Sequence, residues 1–204
     1  MKNNFRRVFY YFSFILLITG FIITCLPFLK DKALEIVISN NLQKNNNEIT
    51  LKKPSYEFNE IKPITVKDIW TAATQDLPII GKLKIPSVQL ALPIMDGVSN
   101  EALAVGAVTL KESQQMGQGN YALAGHRMNN PKLLFSPLER IALGDFLYLS
   151  NEEKEYTYRV VEKSIIESSK VEVVEDTAGM HSVTLITCYD NGTKRLLVKG
   201  MLIK

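Results

Sequence analysis

Cysteine and histidine are scarce in this 204-residue chain, two of each, and tryptophan occurs once. With only Cys25 and Cys188, the chain is no disulfide-dense scaffold, and it has no Cys-x-x-Cys pair to bind zinc or act as a redox dithiol. Positive charge is also scarce outside one terminus. Residues 1–32 hold five basic residues (Lys2, Arg6, Arg7, Lys30, Lys32) against one acid, Asp31, and the other 172 hold 19 basic against 20 acidic. The net charge of +3 therefore belongs to the N-terminal end. A body without excess basic charge does not suit phosphate backbones, so nucleic acid is excluded as a partner. Hydrophobic residues make up 46% and charged residues 22%, which excludes a disordered or collagen-like chain.

Charge is absent altogether from Val8 to Leu29, a run of 22 residues. As a helix it spans about 33 Å, enough for a bilayer core of about 30 Å. It is longer than a typical signal-peptide core, and no small-x-small cleavage site follows before Lys30. A lipoprotein-type role for Cys25 is disfavoured by Thr24 directly before it. Lys2, Arg6 and Arg7 precede the run, so the positive-inside rule places residues 1–7 in the cytoplasm and everything after residue 30 outside. Cys25 then lies in the membrane, and Cys188 is the one thiol of the exported part.

Residues 30–76 read as an extracellular stalk or linker. Ala33–Leu42 can continue a helix, and Ile69–Ala73 can form a short one, but Asn45-Asn46-Asn47, Lys52-Lys53-Pro54 and Lys62-Pro63 are polar or breaking. From Leu77 the texture changes to short β-branched and aromatic runs. The expected strands are Ile79–Ile85, Val88–Ile94, Gly106–Thr109, Tyr121–Gly125, Phe146–Leu149, Tyr156–Ile166, Val183–Cys188 and Arg195–Ile203. Ser99–Val105 and Lys132–Ile141 read as brief helices or helical turns. Eight strands of this length predict a mainly β fold, a closed barrel or a sandwich.

The C-terminal segment has the sharpest local geometry. Asn191-Gly192 between two apolar runs is a strong hairpin signal. With those two residues as the loop, Tyr189 faces Lys194, Cys188 faces Arg195, and Leu185 faces Val198; a wider loop shifts this by a residue or two. Directly opposed side chains lie about 4.5–5.5 Å apart. A guanidinium beside a thiol favours the nucleophilic thiolate and can donate to a carbonyl oxygen that gains charge. The plainer reading is a small buried cysteine and a surface arginine, since free cysteines are usually structural. A cysteine nucleophile needs a proton-transfer partner. His181 is roughly 23 Å away along an extended strand, whereas His126 ends the apolar run Tyr121–Gly125, where a strand meets a loop.

These residues carry a family resemblance. Thr184-Leu185-Ile186-Thr187-Cys188 resembles the signature of sortases, the Gram-positive cysteine transpeptidases. Leu123-Ala124-Gly125-His126 resembles their histidine motif, and Arg195 stands where their active-site arginine is expected. Leu134-Phe135-Ser136-Pro137-Leu138 with Gly144-Asp145 is similar to their helix-to-strand segment. The resemblance covers about residues 77–204, and the N-terminal anchor suits a class A, housekeeping-type member. It implies an eight-stranded sortase-type β-barrel over 77–204, behind a transmembrane anchor at 8–29. It also implies cleavage of a Leu-Pro-x-Thr-Gly-type sorting signal between Thr and Gly. On this pattern Cys188 attacks the Thr carbonyl to form a thioester, His126 is general acid and then base, and Arg195 holds substrate and stabilises the oxyanion. Thr187 offers a hydroxyl to substrate or packs within its strand. The implied partners are surface proteins bearing the signal and, as acceptor, a peptidoglycan-precursor amine. A membrane-anchored hydrolase with the same triad and a non-catalytic wall-binding module are the alternatives.

Two departures bear on this. Some class A relatives hold calcium through acidic clusters before the histidine strand, but Lys111–Asn120 contains one acid, Glu112. One carboxylate is a poor set for a cation wanting six to eight oxygens, so no metal and no cofactor are expected. No second hydrophobic span and no lid insertion are visible, unlike the pilus-polymerising class C pattern. The substrate groove is expected between the histidine loop and Lys163–His181. There Val171, Val173 and Val174 either supply an apolar pocket for the signal's Leu and Pro or form a core strand.

Overall fold

The computed structural model describes residues 2–43, 54–56 and 63–203. Asn45-Asn46-Asn47 and Lys52-Lys53 lie outside the described residues.

One helix, α1 (Lys2–Gln43), runs for 42 residues and is long and apolar enough to cross a membrane. The apolar side chains Phe14, Leu17, Phe21 and Phe28 stand exposed along it. Beyond Leu29 its character changes. Leu34, Val37, Ile38 and Asn41, at the i, i+3, i+4, i+7 spacing of one helical face, are buried. Leu34, Val37 and Ile38 belong to the same continuous core as the rest of the fold. A short helix, α2 (Val66–Thr74), is closed at its start by a capping box in which Thr65 and Asp68 satisfy each other's backbone N–H groups. It packs Ile69 and Ala72 inward, against α1 and α3 (Asn100–Val105). Of the two readings open for Ile69–Ala73, a free spacer or a short helix packed on the domain that follows, the described residues take the second. Their apolar faces are spent on the body of the protein.

Eight strands form a closed barrel: β1 (Ile79–Ile85), β2 (Leu90–Met95), β3 (Ala107–Thr109), β4 (Asn120–Ala124), β5 (Phe146–Ser150), β6 (Glu155–Glu167), β7 (Ser182–Tyr189) and β8 (Lys194–Leu202). Around the barrel they run β1-β2-β3-β4-β7-β8-β6-β5. Each expected strand is present. The start of the second is the main difference, because Pro86–Val88 forms a 3-10 turn and Gln89 takes φ 56° before β2 begins. Proline has no N–H for a strand ladder, so the chain turns there. Lys132–Ile141 contains a 3-10 helix at Ser136–Arg140.

Alternation sorts the two faces of the sheet. Leu123, Leu185 and Val198 form one paired row pointing into the barrel, followed by Tyr121, Val183 and Gly200. A side chain at Gly200 would strike Leu147, Tyr158 and Val183, which accounts for glycine there. The intervening rows, Ala122–Thr184–Lys199 and Ala124–Ile186–Leu197, point outward.

Candidate active site

The hairpin register is the one the sequence predicts. Cys188 pairs with Arg195, and every β7–β8 pair from Ser182↔Met201 to Tyr189↔Lys194 keeps it. The connection is a four-residue turn in which Asp190 (φ 47°) and Gly192 (φ 87°) take the left-handed conformation. Widening a loop symmetrically leaves the register intact. By parity Cys188 shares the outward face with Ile186, and it is exposed.

His126 comes to the same place through a contact 62 residues long-range. β4 and β7 are parallel, in register from Asn120↔Ser182 to Ala124↔Ile186. Gly125 extends the ladder, its N–H donating to the Ile186 carbonyl at 3.2 Å. Thr187 closes it from the other side, its buried hydroxyl donating to the Gly125 carbonyl at 2.7 Å. Cys188 and Arg195 are thus paired across β7 and β8, and His126 follows the end of β4 at the level where the β4–β7 register, continued, meets Cys188. His181 is at the far end of β7, where its carbonyl accepts from Leu202, and it has no part in that arrangement.

The histidine loop is held from below. Phe135 N–H donates to the His126 carbonyl at 2.9 Å, and Ser136 Oγ both accepts from Met128 N–H (2.7 Å) and donates to the Met128 carbonyl (3.0 Å). The buried Phe135 ring lies where a Cβ on Gly125 would be, with its Cγ 2.7 Å from that position, so the motif Ala124-Gly125-His126 needs its glycine for close approach. Arg127 pairs with Glu139 (2.6 Å) and its guanidinium stands 5.9 Å from the centre of the Tyr189 ring. That contact joins the residue after the histidine to the residue after the cysteine.

His126 is half-buried, and its Nε2 is buried with no hydrogen-bond partner among the described residues. Burial pushes its pKa below the ordinary 6.5, and the Asp68 carboxylate of α2 pulls it back up. The Thr65 hydroxyl donates to Asp68 (2.6 Å) and holds that carboxyl below its usual range, so it is charged at neutral pH. Arg195 Nη1 donates to the Gly192 and Lys194 carbonyls at 2.8 and 3.0 Å. Those bonds fold the guanidinium back over its own hairpin and leave Nε and Nη2 outside them.

Val171, Val173 and Val174 belong to a 3-10 helix (Val171–Val174) in the β6–β7 connection, not to a core strand. Val171 is exposed and the other two are half-buried. Asn120, buried at the start of β4, ties this segment down. Its Nδ2 donates to the Val173 carbonyl (3.0 Å) and the Glu175 carbonyl (3.2 Å). Its Oδ1 accepts from the Ser182 and Thr184 hydroxyls at 3.1 and 2.7 Å. Asp176 accepts from Asn120 N–H (2.7 Å) and pairs with Lys111 Nζ (2.6 Å), which holds its carboxyl below the usual range. These residues line a cleft of about 320 Å³ with Glu112 and Gln114. Asn120, at its edge, is six residues before His126, roughly 20 Å in extended chain. The lining of the cleft holds two carboxylates, one already neutralised by an ammonium. Among the described residues no group of three or more His, Cys, Asp or Glu gathers as a metal site. The sequence pattern did not single out Asn120, Asp176, Asp68 or Gly125 for these roles. The Thr65-x-x-Asp68 spacing was the one local signal available.

The Sortase domain family profile matches residues 83–203. Sortase A of Streptococcus agalactiae is 41% identical over 176 residues, covering 82% of this chain and 70% of that protein. Sortase A of Bacillus anthracis is 36% identical over 205 residues, covering 98% of this chain and 97% of the relative. Among solved structures, sortase A of Listeria monocytogenes superposes with a TM-score of 0.60 at 37% identity, covering 62% of this chain and 88% of the other.

Proposed function

The chain belongs to the sortase family of cysteine transpeptidases, and from that premise we propose that it cleaves a Leu-Pro-x-Thr-Gly-type sorting signal between Thr and Gly and passes the surface protein to a peptidoglycan-precursor amine. The observation that carries this reading is the Cys188↔Arg195 pair of β7 and β8 beside the parallel β4–β7 ladder, which ends two residues before His126.

Cys188 Sγ attacks the Thr carbonyl carbon, and the carbonyl oxygen takes up negative charge. The Nε and Nη2 donors of Arg195 are suited to that charge. Collapse breaks the Thr–Gly C–N bond. His126, as imidazolium, gives its proton to the departing glycine nitrogen and leaves a thioester on Cys188. The acceptor amine then attacks the thioester, His126 takes the proton that the amine loses, and Sγ leaves as thiolate. The unpartnered Nε2 and the lowered pKa both favour a histidine that exchanges a proton readily. Asp68 supplies the opposing bias that keeps the protonated form within reach.

The signal peptide would lie along the outward face, over the small residues Ala122 and Ala124. Its Leu and Pro, two to three residues from the scissile bond, would reach about 7–10 Å toward the segment pinned by Asn120. Val173 and Val174, beyond that reach, would give apolar contact to residues that precede the Leu. Thr187, with its hydroxyl committed to Gly125, would act by placing His126. The Lys111 ammonium on Asp176 would take the place of a cation, which supports activity without calcium. Several-fold activation by calcium, abolished by Glu112→Gln, would contradict this. α1 would anchor the enzyme with residues 1–7 in the cytoplasm and the barrel outside, in accord with Lys2, Arg6 and Arg7.

The test is mass spectrometry of a sorting-signal peptide incubated with the full chain in detergent, with and without a glycine-terminated amine. The expected product is the peptide joined through Thr to the amine, with Cys188 transiently acylated. Hydrolysed peptide alone at saturating amine would identify a protease instead. No acylation of Cys188 would point to a binding module.

A further inference from the structure

A helix that buries one face in a protein normally turns polar residues outward. In α2, Ile69 and Ala72 face inward, yet Val66 and Trp70 are 71% and 70% exposed and Ala73 is exposed as well. At about 100° per residue these three fall within roughly 60° of one another. Lys67 and Thr74 flank them, both exposed, and Asp68 lies on the other side toward His126. The outward face is therefore apolar, carries one cation and has no acid.

Its position in the fold gives that face a neighbour. Lys30, the first residue after the uncharged run, donates from Nζ to the carbonyl of Ile64 at 2.8 Å, two residues ahead of α2. Asn130, in the loop that follows His126, donates from Nδ2 to Asp31 Oδ2 at 3.0 Å. Two separate bonds thus bring the start of α2 and the histidine loop to the level where α1 leaves its apolar stretch.

We propose that the Val66–Trp70–Ala73 face of α2 rests in the headgroup layer of the bilayer that α1 spans, an anionic lipid surface being its occupant. The proposal rests on reading α1 as a membrane span. Tryptophan is at its most favourable at such an interface, with its ring against acyl chains and its N–H among headgroups. Lys67, exposed at the edge of this face, supplies the cation that attracts anionic lipid. With α1 and α2 both engaged, the barrel is held at two points and cannot swing freely on its anchor. The histidine loop then opens along the membrane surface.

Trp70 is the only tryptophan in the chain, so its fluorescence reports on this face alone. The full chain is reconstituted in vesicles of phosphatidylcholine and phosphatidylglycerol, and carbonate-resistant flotation first establishes that α1 is inserted. Trp70 emission is expected to be quenched by nitroxides at the headgroup and upper acyl chain, more than by nitroxides near the bilayer centre. It should be shielded from aqueous acrylamide, and Val66→Asp should shift the emission to longer wavelength and weaken the lipid quenching. A chain that floats while Trp70 is fully open to acrylamide overturns the proposal and leaves the anchor standing. Shielding from acrylamide without lipid quenching also overturns it, because protein then covers the face. A chain that does not float removes the anchor and the proposal together.

Discussion

Replacing Asn120 with alanine tests whether the β6–β7 segment is held in place for substrate. The substitution removes two donors, to the carbonyls of Val173 and Glu175, and leaves the Ser182 and Thr184 hydroxyls without their shared acceptor. The Asp176 link survives, because it is made by the backbone N–H of residue 120. Each lost bond is worth about 0.5–1.5 kcal/mol net, so the hold on the segment weakens by about 1–3 kcal/mol. If the segment must be docked for the signal to bind, its docked population falls and KM for a fluorogenic sorting peptide rises, by at most roughly 5- to 150-fold. Asn120 is six residues before His126, roughly 20 Å in extended chain, so kcat should stay close to its original value. A thermal melt run in parallel measures the global cost of the orphaned hydroxyls. A lowered Tm with an unchanged KM would refute the reasoning and leave Asn120 a purely structural residue.

Four further perturbations follow from the site. Asp68→Asn removes the charge that raises the His126 pKa, so the inflection of His126 in an NMR titration should move to lower pH; a shift upward would contradict the assignment. The same depression means that His126 contributes stability fully present above its ordinary 6.5 and lost as pH falls through the folded-state value, a dependence that His126→Gln should remove from a Tm-versus-pH series. Gly125→Ala drives a methyl into the Phe135 ring and should cost about 1–3 kcal/mol in chemical denaturation with a matching loss of kcat, since His126 is the next residue. Arg195→Lys keeps the charge but not the planar fork, and acyl transfer should fall roughly 10²–10³-fold in kcat with the fold retained by circular dichroism.

What could be read from sequence was whatever local chemistry determines. Asn191-Gly192 fixed the hairpin and with it the pairing of Cys188 to Arg195. The β-branched and aromatic runs between turn residues located eight strands, because such side chains suit the half-buried surface of a sheet. The parallel pairing of β4 with β7 spans 62 residues and leaves no local mark, so His126 reached Cys188 by family resemblance and elimination. The role of Asn120 was equally hidden, since a buried amide whose partners lie on two other segments looks in sequence like an ordinary turn residue. The inward packing of Ile69 and Ala72 was one of two readings the sequence left open. Their spacing allows a docked helix or a free one, and the surface offered by α1 and α3 decides.

The position of the final hairpin has a consequence for when the enzyme becomes active. β7 and β8 insert between β4 and β6, which without them are two open edges. The thiol and the guanidinium both arrive on this last-made wedge, whereas the imidazole waits on an edge strand completed some sixty residues earlier. Closure of the barrel and the approach of the Cys188–Arg195 pair to the strand that leads to His126 are therefore a single event.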